Sequence, residues 1–91
     1  MSGTLSRVIM GLVDMFPEVD GSGINGETTL GELPDWDSMA AVNLQILLHE
    51  TFHVDLPMEL LQEFTTFREL IALMEHPDKI PEAVLQFRKR N

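Results

Sequence analysis

The sequence predicts an all-α fold, and three observations carry that prediction. Apolar residues recur at helical spacing in separate segments. Turn-forming residues crowd the stretch between the first two of them. No run alternates polar and apolar in the way a half-buried strand does. A chain of 91 residues suffices for one small domain, and a hydrophobic share of 44% supplies a core and excludes a disordered tail.

Leu5, Val8, Ile9, Leu12 and Val13 fall at the i, i+3, i+4, i+7, i+8 spacing of one helix face. A first helix is therefore predicted from about Leu5 to Phe16, stopped by Pro17. Pro17 to Asp37 holds Asp20-Gly-Ser-Gly, Asn25-Gly26, Gly31 and Pro34. This turn chemistry predicts a long structured loop rather than a strand pair, pinned to the core by Thr29 and Leu30. Asp37 and Ser38 are both good helix-starting residues, and a second helix is predicted from them to Phe52 or His53. Asp55-Leu-Pro breaks it. Met58 to Phe64 leaves room for only a short third helix. Thr66-Phe-Arg-Glu69 is a capping-box pattern that opens a helix carrying Phe67, Leu70, Ile71, Leu73 and Met74, closed by Pro77. Beyond it, Pro81 to Arg90 suits either a last short helix, with its cations at the favourable end, or a frayed and solvated tail. The predicted fold is thus a four-helix bundle with a long loop between helices one and two and a short third helix, residues 1–76 forming the body and 77–91 an extension.

The net charge of −9 is unevenly spread. All the acidic residues but Asp78 and Glu82 precede Pro77, against only Arg7 and Arg68, while Lys79, Arg88, Lys89 and Arg90 lie at the C-terminal end. Such a body repels nucleic acid and favours partners with basic patches, unless the acidity serves solubility alone. With no cysteine there is neither a disulfide framework nor a thiolate metal site. A reducing cytoplasm fits. The N-terminal apolar residues are interrupted by Arg7, Gly11 and Asp14, unlike a signal peptide, and no stretch is long enough to cross a bilayer. The expectation is a cytoplasmic protein without membrane insertion.

On a helical wheel, Ala41, Leu44, Leu47, Leu48 and Phe52 form a core face of the second helix. Met39, Val42 and Ile46 form a second apolar stripe beside Ser38, continued by His49 and His53. A surface helix ordinarily has one apolar face. The second stripe is either a binding surface or is covered by the loop or the C-terminal segment. Ser38 has a further chemical advantage, because the open N–H groups and dipole of a helix N-terminus favour a phosphodiester there. Asp37 can cap the helix, or help hold metal and phosphate while such a group is attached.

Two metal motifs come into view and fail on context. His49-Glu50-Thr51-Phe52-His53 spells the H-E-x-x-H of zinc hydrolases, with the glutamate as general base. Leu56 and Glu59 stand where the longer motif needs Gly and His, and the chain leaves little room for a cleft. In Asp20-Gly-Ser-Gly-Ile-Asn-Gly, Ile24 occupies a calcium-ligand position and Gly31 stands where the bidentate Glu belongs. No metal site and no catalytic residue is expected.

The segment Glu32-Leu-Pro-Asp-Trp-Asp-Ser-Met39 resembles the acyl carrier protein signature, in which Asp-Ser-Leu precedes the second helix. Val42, Leu44, Leu48 and Phe52 resemble the family's apolar positions on that helix. Val54-Asp-Leu-Pro57 is similar to its helix-ending turn, and Phe64-Thr-Thr-Phe67 to its step into the last helix. The resemblance covers roughly Leu5 to Glu75. It implies a carrier domain over residues 1–76, not an enzyme, with 4′-phosphopantetheine attached to Ser38 by a phosphopantetheinyl transferase and Asp37 in support. Acyl or aminoacyl groups would then ride on the arm as thioesters, exchanged with acyl-loading and acyl-transferring enzymes that meet Met39, Val42 and Ile46. A monomer is expected. Two departures stand out. After Ser38 the second helix has Glu50 as its one acid, where members serving fatty acid synthesis have an acidic helix. Trp36 stands where a smaller pair is commoner, either packed across the loop onto the core or lying beside the arm. The first departure implies dedicated, less basic partners in a specialised lipid, polyketide or related pathway. The competing expectation is an interaction module of the same fold with Ser38 unmodified.

Overall fold

A computed structural model describes residues 3–90, and for Arg90 the backbone alone. Of the C-terminal cations, the Arg90 side chain lies outside the described residues. Four helices, α1 (Gly3–Met15), α2 (Ser38–Phe52), α3 (Phe67–Glu75) and α4 (Ile80–Arg90), make up the frame. Single 3₁₀ turns lie at Gly21–Gly23, Leu30–Glu32, Met58–Leu60 and Pro77–Lys79. Among the described residues there is no strand, and no helix is long and apolar enough to cross a membrane.

The bundle closes over a core in which Val8 and Leu12 of α1, Leu44 and Leu48 of α2, Leu30, Leu56, and Phe67 and Leu70 of α3 have almost no exposed surface. α1 departs from its predicted face at one point: Val13 is 41% exposed. The Gly21–Gly23 turn folds over Val13 and Ile9 so closely that a Cβ on Gly21 would lie 2.9 Å from Ile9 Cγ2. That flank of α1 thus meets the loop and not the core. Gly11 does the same for α1 against α2, its missing Cβ standing 3.0 Å from a Leu47 methyl.

The long loop is fastened by the backbone. Leu30 N–H donates to Thr65 C=O (2.9 Å) and Gly31 N–H to Glu63 C=O (2.8 Å). In the other direction, Phe67 N–H donates to Thr28 C=O and Arg68 N–H to Gly26 C=O, both 2.9 Å. Thr29 and Thr66 form an isolated antiparallel bridge at the centre of this ladder. Each of the two threonines opens a short helical segment, with Glu32 accepting from Thr29 N–H and Glu69 from Thr66 N–H. The loop is therefore held by the entry to α3, an element far away in sequence. At Gly31 a Cβ would lie 2.8 Å from the Glu63 carbonyl oxygen. Gly31→Ala is expected to lower unfolding free energy by about 1–3 kcal/mol, because backbone must move to admit the methyl. A chemical-denaturation midpoint indistinguishable from that of the unaltered protein would contradict this.

The expected third helix shrinks to the Met58–Leu60 turn. Pro57 precedes it, and Leu61 at φ −106°, ψ 60° leaves the helical region after three residues. Its polar debts are met locally, with Thr65 donating its hydroxyl to Leu60 C=O at 3.0 Å and accepting from Gln62 N–H at 3.2 Å. Residues 77–90 are helical and seated on the body rather than frayed. Ile80, Ala83, Val84 and Phe87 pack against the core, Phe87 stacks on Phe64 with ring centroids 6.3 Å apart, and Arg88 pairs with Glu59.

Candidate functional site

Ser38 is the first residue of α2 and is exposed to solvent. The residue before it, Asp37, is the cap: its Oδ1 accepts the Ala40 N–H at 2.8 Å, and its carbonyl accepts the Ala41 N–H at 3.1 Å. Of the two roles open to Asp37, the structure shows capping. The N–H groups of Ser38 and Met39 precede this first intrahelical bond and remain outside the helix's own ladder. An anion attached at Ser38 would meet those N–H groups and the positive end of the helix dipole.

The chain reaches this cap through a tight reversal. Leu33 is anchored in the core, Asp35 adopts a left-handed backbone at φ 56°, and Trp36 then packs half-buried against the core. Core packing is thus the arrangement observed, and Trp36 also lines a groove of about 510 Å³ that holds Ser38. Asp37 and Ala41 line the same side. Met58, Glu59, Leu61, Gln62, Glu63 and Phe64 form the opposite wall. A smaller cavity of about 240 Å³ lies on the other flank of the α2 start, between Phe16, Val19, Pro34, Met39 and Asn43.

The predicted second stripe of α2 is present. Met39 is 64% and Ile46 47% exposed, with Val42 half-buried between them. Ser38 thus stands at the junction of a groove on one side and an apolar surface on the other. Ala40 is buried where the loop folds back on the first turn of α2. Phe52, assigned to the core face, is only half-buried, with the Arg7 guanidinium 4.6 Å above its ring.

The histidine motif does not assemble. His53 lies one residue beyond α2, in a left-handed conformation at φ 60° that closes the helix, with its N–H bonded to His49 C=O. His49 Nδ1 lies 2.6 Å from Asp55 Oδ1. Among the described residues no three His, Asp or Glu side chains form a metal-holding group. The Asp20 segment forms a local turn instead, Asp20 Oδ1 accepting from the Ser22 hydroxyl (2.6 Å) and N–H (3.0 Å).

Sequence reasoning missed the far wall of the groove, namely Met58, Glu59, Gln62 and Phe64. Phe64, which the sequence marks only in the step into the last helix, is 59% exposed next to buried Thr65.

Carboxylates around the loop and wall are held below their ordinary range. The Thr29 N–H, followed by its hydroxyl, lowers Glu32; the Ser22 hydroxyl, followed by its N–H, lowers Asp20; the Arg88 hydrogen bond lowers Glu59. Their folded values lie under their unfolded ones. The stability they lend is therefore present above the unfolded carboxylate pKa of about 4 and is lost as pH falls through the folded values. The thermal midpoint should be flat near neutrality and drop below about pH 5, with a shallower drop in Glu32→Gln. An acid limb identical in Glu32→Gln would refute the assignment to that turn.

A family model described as phosphopantetheine attachment site matches residues 11–74. The chain matches no curated protein and no solved structure.

Proposed function

The chain belongs to the phosphopantetheine attachment-site family, and on that footing we propose that Ser38 is the residue that takes the arm, with Asp37 supporting it through the cap. Members of this family carry covalently attached 4′-phosphopantetheine and are carriers, not catalysts. They work with phosphopantetheinyl transferases and with biosynthetic enzymes. The observation that carries the reading is the exposed hydroxyl of Ser38 at the head of α2, within the matched span, opening onto the groove.

The residues present fit the group. Its phosphodiester would find the Ser38 and Met39 N–H groups, and the rest of the arm would find the groove between Trp36 and Met58. When bound, the arm supplies a thiol on which acyl or aminoacyl groups travel as thioesters. What the chain itself does is present that thiol and offer Met39, Val42 and Ile46 as the surface on which partner enzymes settle. Residues 1–76 act as the carrier domain of a monomeric cytoplasmic protein, with 77–91 appended. The thin acidity of α2, with Glu50 its only acid, supports partners less basic than those of general fatty acid synthesis and hence a specialised pathway.

The test is intact mass after incubation with coenzyme A and a broad-specificity phosphopantetheinyl transferase. A gain of one phosphopantetheine is expected. Absence of any gain with several active transferases would sink the reading and leave an unmodified interaction module in its place. For the partner assignment, a ketoacyl synthase of general fatty acid synthesis is expected to turn over the loaded chain at least about tenfold more slowly than its own carrier, the effect of removing steering charge. Equal rates would overturn it.

A further inference from the structure

The groove beside Ser38 has one wall that is not a regular helix. α2 supplies the other side as a regular helix, but the facing wall is a single 3₁₀ turn, Met58–Leu60, followed by residues 61–64 without a helical ladder. Leu60 and Leu61 anchor this segment inward. Glu59 and Phe64 project outward, and both line the groove. The same two side chains are gripped from behind by α4. Arg88 Nε donates to Glu59 Oε2 at 2.8 Å and a terminal Arg88 nitrogen to Glu59 Oε1 at 3.2 Å, while Phe87 stacks on Phe64 with rings 16° from parallel.

Between the wall and α4 lies a further cavity of about 120 Å³, lined by Glu59, Leu60, Phe64, Ala83 and Phe87. At the edge of this gap the ion pair and the ring stack tie the outward side chains of the wall to α4, while Leu60 and Leu61 hold its inner side in the core. α4 lies beyond the residues 11–74 that match the family, so this support belongs to the extension of this particular chain.

We infer that Phe87 and Arg88 of α4 are positioning residues that brace the groove wall and set how well the groove retains an aliphatic acyl chain, an inference that rests on Ser38 being the attachment site. Trp36, Ala41, Met58, Leu61 and Phe64 give the groove an apolar strip for such a chain, bordered by Asp37, Glu59, Gln62 and Glu63. Arg88 contributes twice. It holds the wall, and it neutralises the Glu59 carboxylate that would otherwise face an apolar guest and a phosphodiester unpaired.

Trp36 is the only tryptophan and lines the groove, so its fluorescence reports on the wall before any arm is attached. Acrylamide quenching of Trp36 in the unloaded chain is expected to rise about two- to fivefold in Arg88→Ala, the range of an exposed ion pair. Phe87→Ala should raise it by a similar or larger factor. Arg88→Lys, which keeps the charge, should stay closer to the unaltered protein. The second readout uses chains loaded with acetyl, hexanoyl or decanoyl phosphopantetheine and follows loss of the acyl group to hydroxylamine by intact mass. In the unaltered protein the longer chains should be lost more slowly than acetyl. Arg88→Ala should erase that length dependence without changing the acetyl rate, which loss of general stability would not do. Unchanged Trp36 quenching in both alanine variants, or a length dependence that survives them, would overturn the brace. Failure of the unaltered chain to gain mass would instead overturn the attachment site, and this inference with it.

Discussion

Ser38→Ala is expected to abolish the mass gain from coenzyme A completely, while leaving the fold almost untouched. The two effects separate because the cap and the proposed attachment point are adjacent but distinct residues. Asp37 carries the cap bond to Ala40, and Ser38 is exposed in the first turn of α2. Removing its hydroxyl should change stability by less than about 0.5 kcal/mol, as for a surface substitution without a special role. Asp37→Ala should behave the other way. It should cost about 1 kcal/mol by loss of the N-cap and still accept the arm, more slowly. Asp37→Asn keeps a capping oxygen and removes the charge, so its attachment rate isolates any electrostatic part. Mass spectrometry beside a urea titration of all three variants decides the matter. A Ser38→Ala chain that still gains mass would move the site to another hydroxyl, and one that fails to fold would show that Ser38 serves the fold.

Phe67→Ala is expected to lower stability by about 3–5 kcal/mol, the loss for deleting a fully buried aromatic ring. Its side chain is the largest of those with essentially no exposed surface. It sits at the start of α3, with its own N–H bonded to Thr28 C=O, at the point where the long loop is fastened. A small domain has only about 5–15 kcal/mol in total, so the variant should be marginal at body temperature. Phe67→Leu, which refills most of the volume, should recover more than half of the loss. The effect should also reach the site, since the loop held at Thr28 to Gly31 leads directly through Leu33 to the cap of α2. A denaturation midpoint shifted by less than the equivalent of about 1 kcal/mol would mean that the cavity collapses and that the ring is not the anchor described.

Local chemistry was legible because it depends on near neighbours in the chain. The Asp37 cap, the Thr66–Glu69 box and the stop at Pro17 each involve residues within a few positions of one another, and all three stand where the pattern puts them. The exposed Met39 and Ile46 stripe was legible for the same reason, since helical spacing alone separates it from the core face. One departure falls where another segment intervenes: Val13 leaves the core face because the Gly21 turn packs against that flank of α1. The Met58–Phe64 segment has the length for a short helix. Pro57 and the Leu61 backbone reduce it to one turn, whose remaining polar groups are met by Thr65.

By itself the sequence determined the helical class, the caps, the resemblance that singles out Ser38 and the apolar stripe beside it, all properties of spacing and local hydrogen bonding. Tertiary structure alone decided the rest. It joined residues 26–31 to 63–68 through backbone bonds that carry no side-chain signature. It set Met58 to Phe64 across from Ser38 to make a groove, and it seated α4 behind that wall. The physical reason is that a groove is a relation between surfaces of remote segments, and the burial that brings them together depends on the whole core and not on any one stretch of chain.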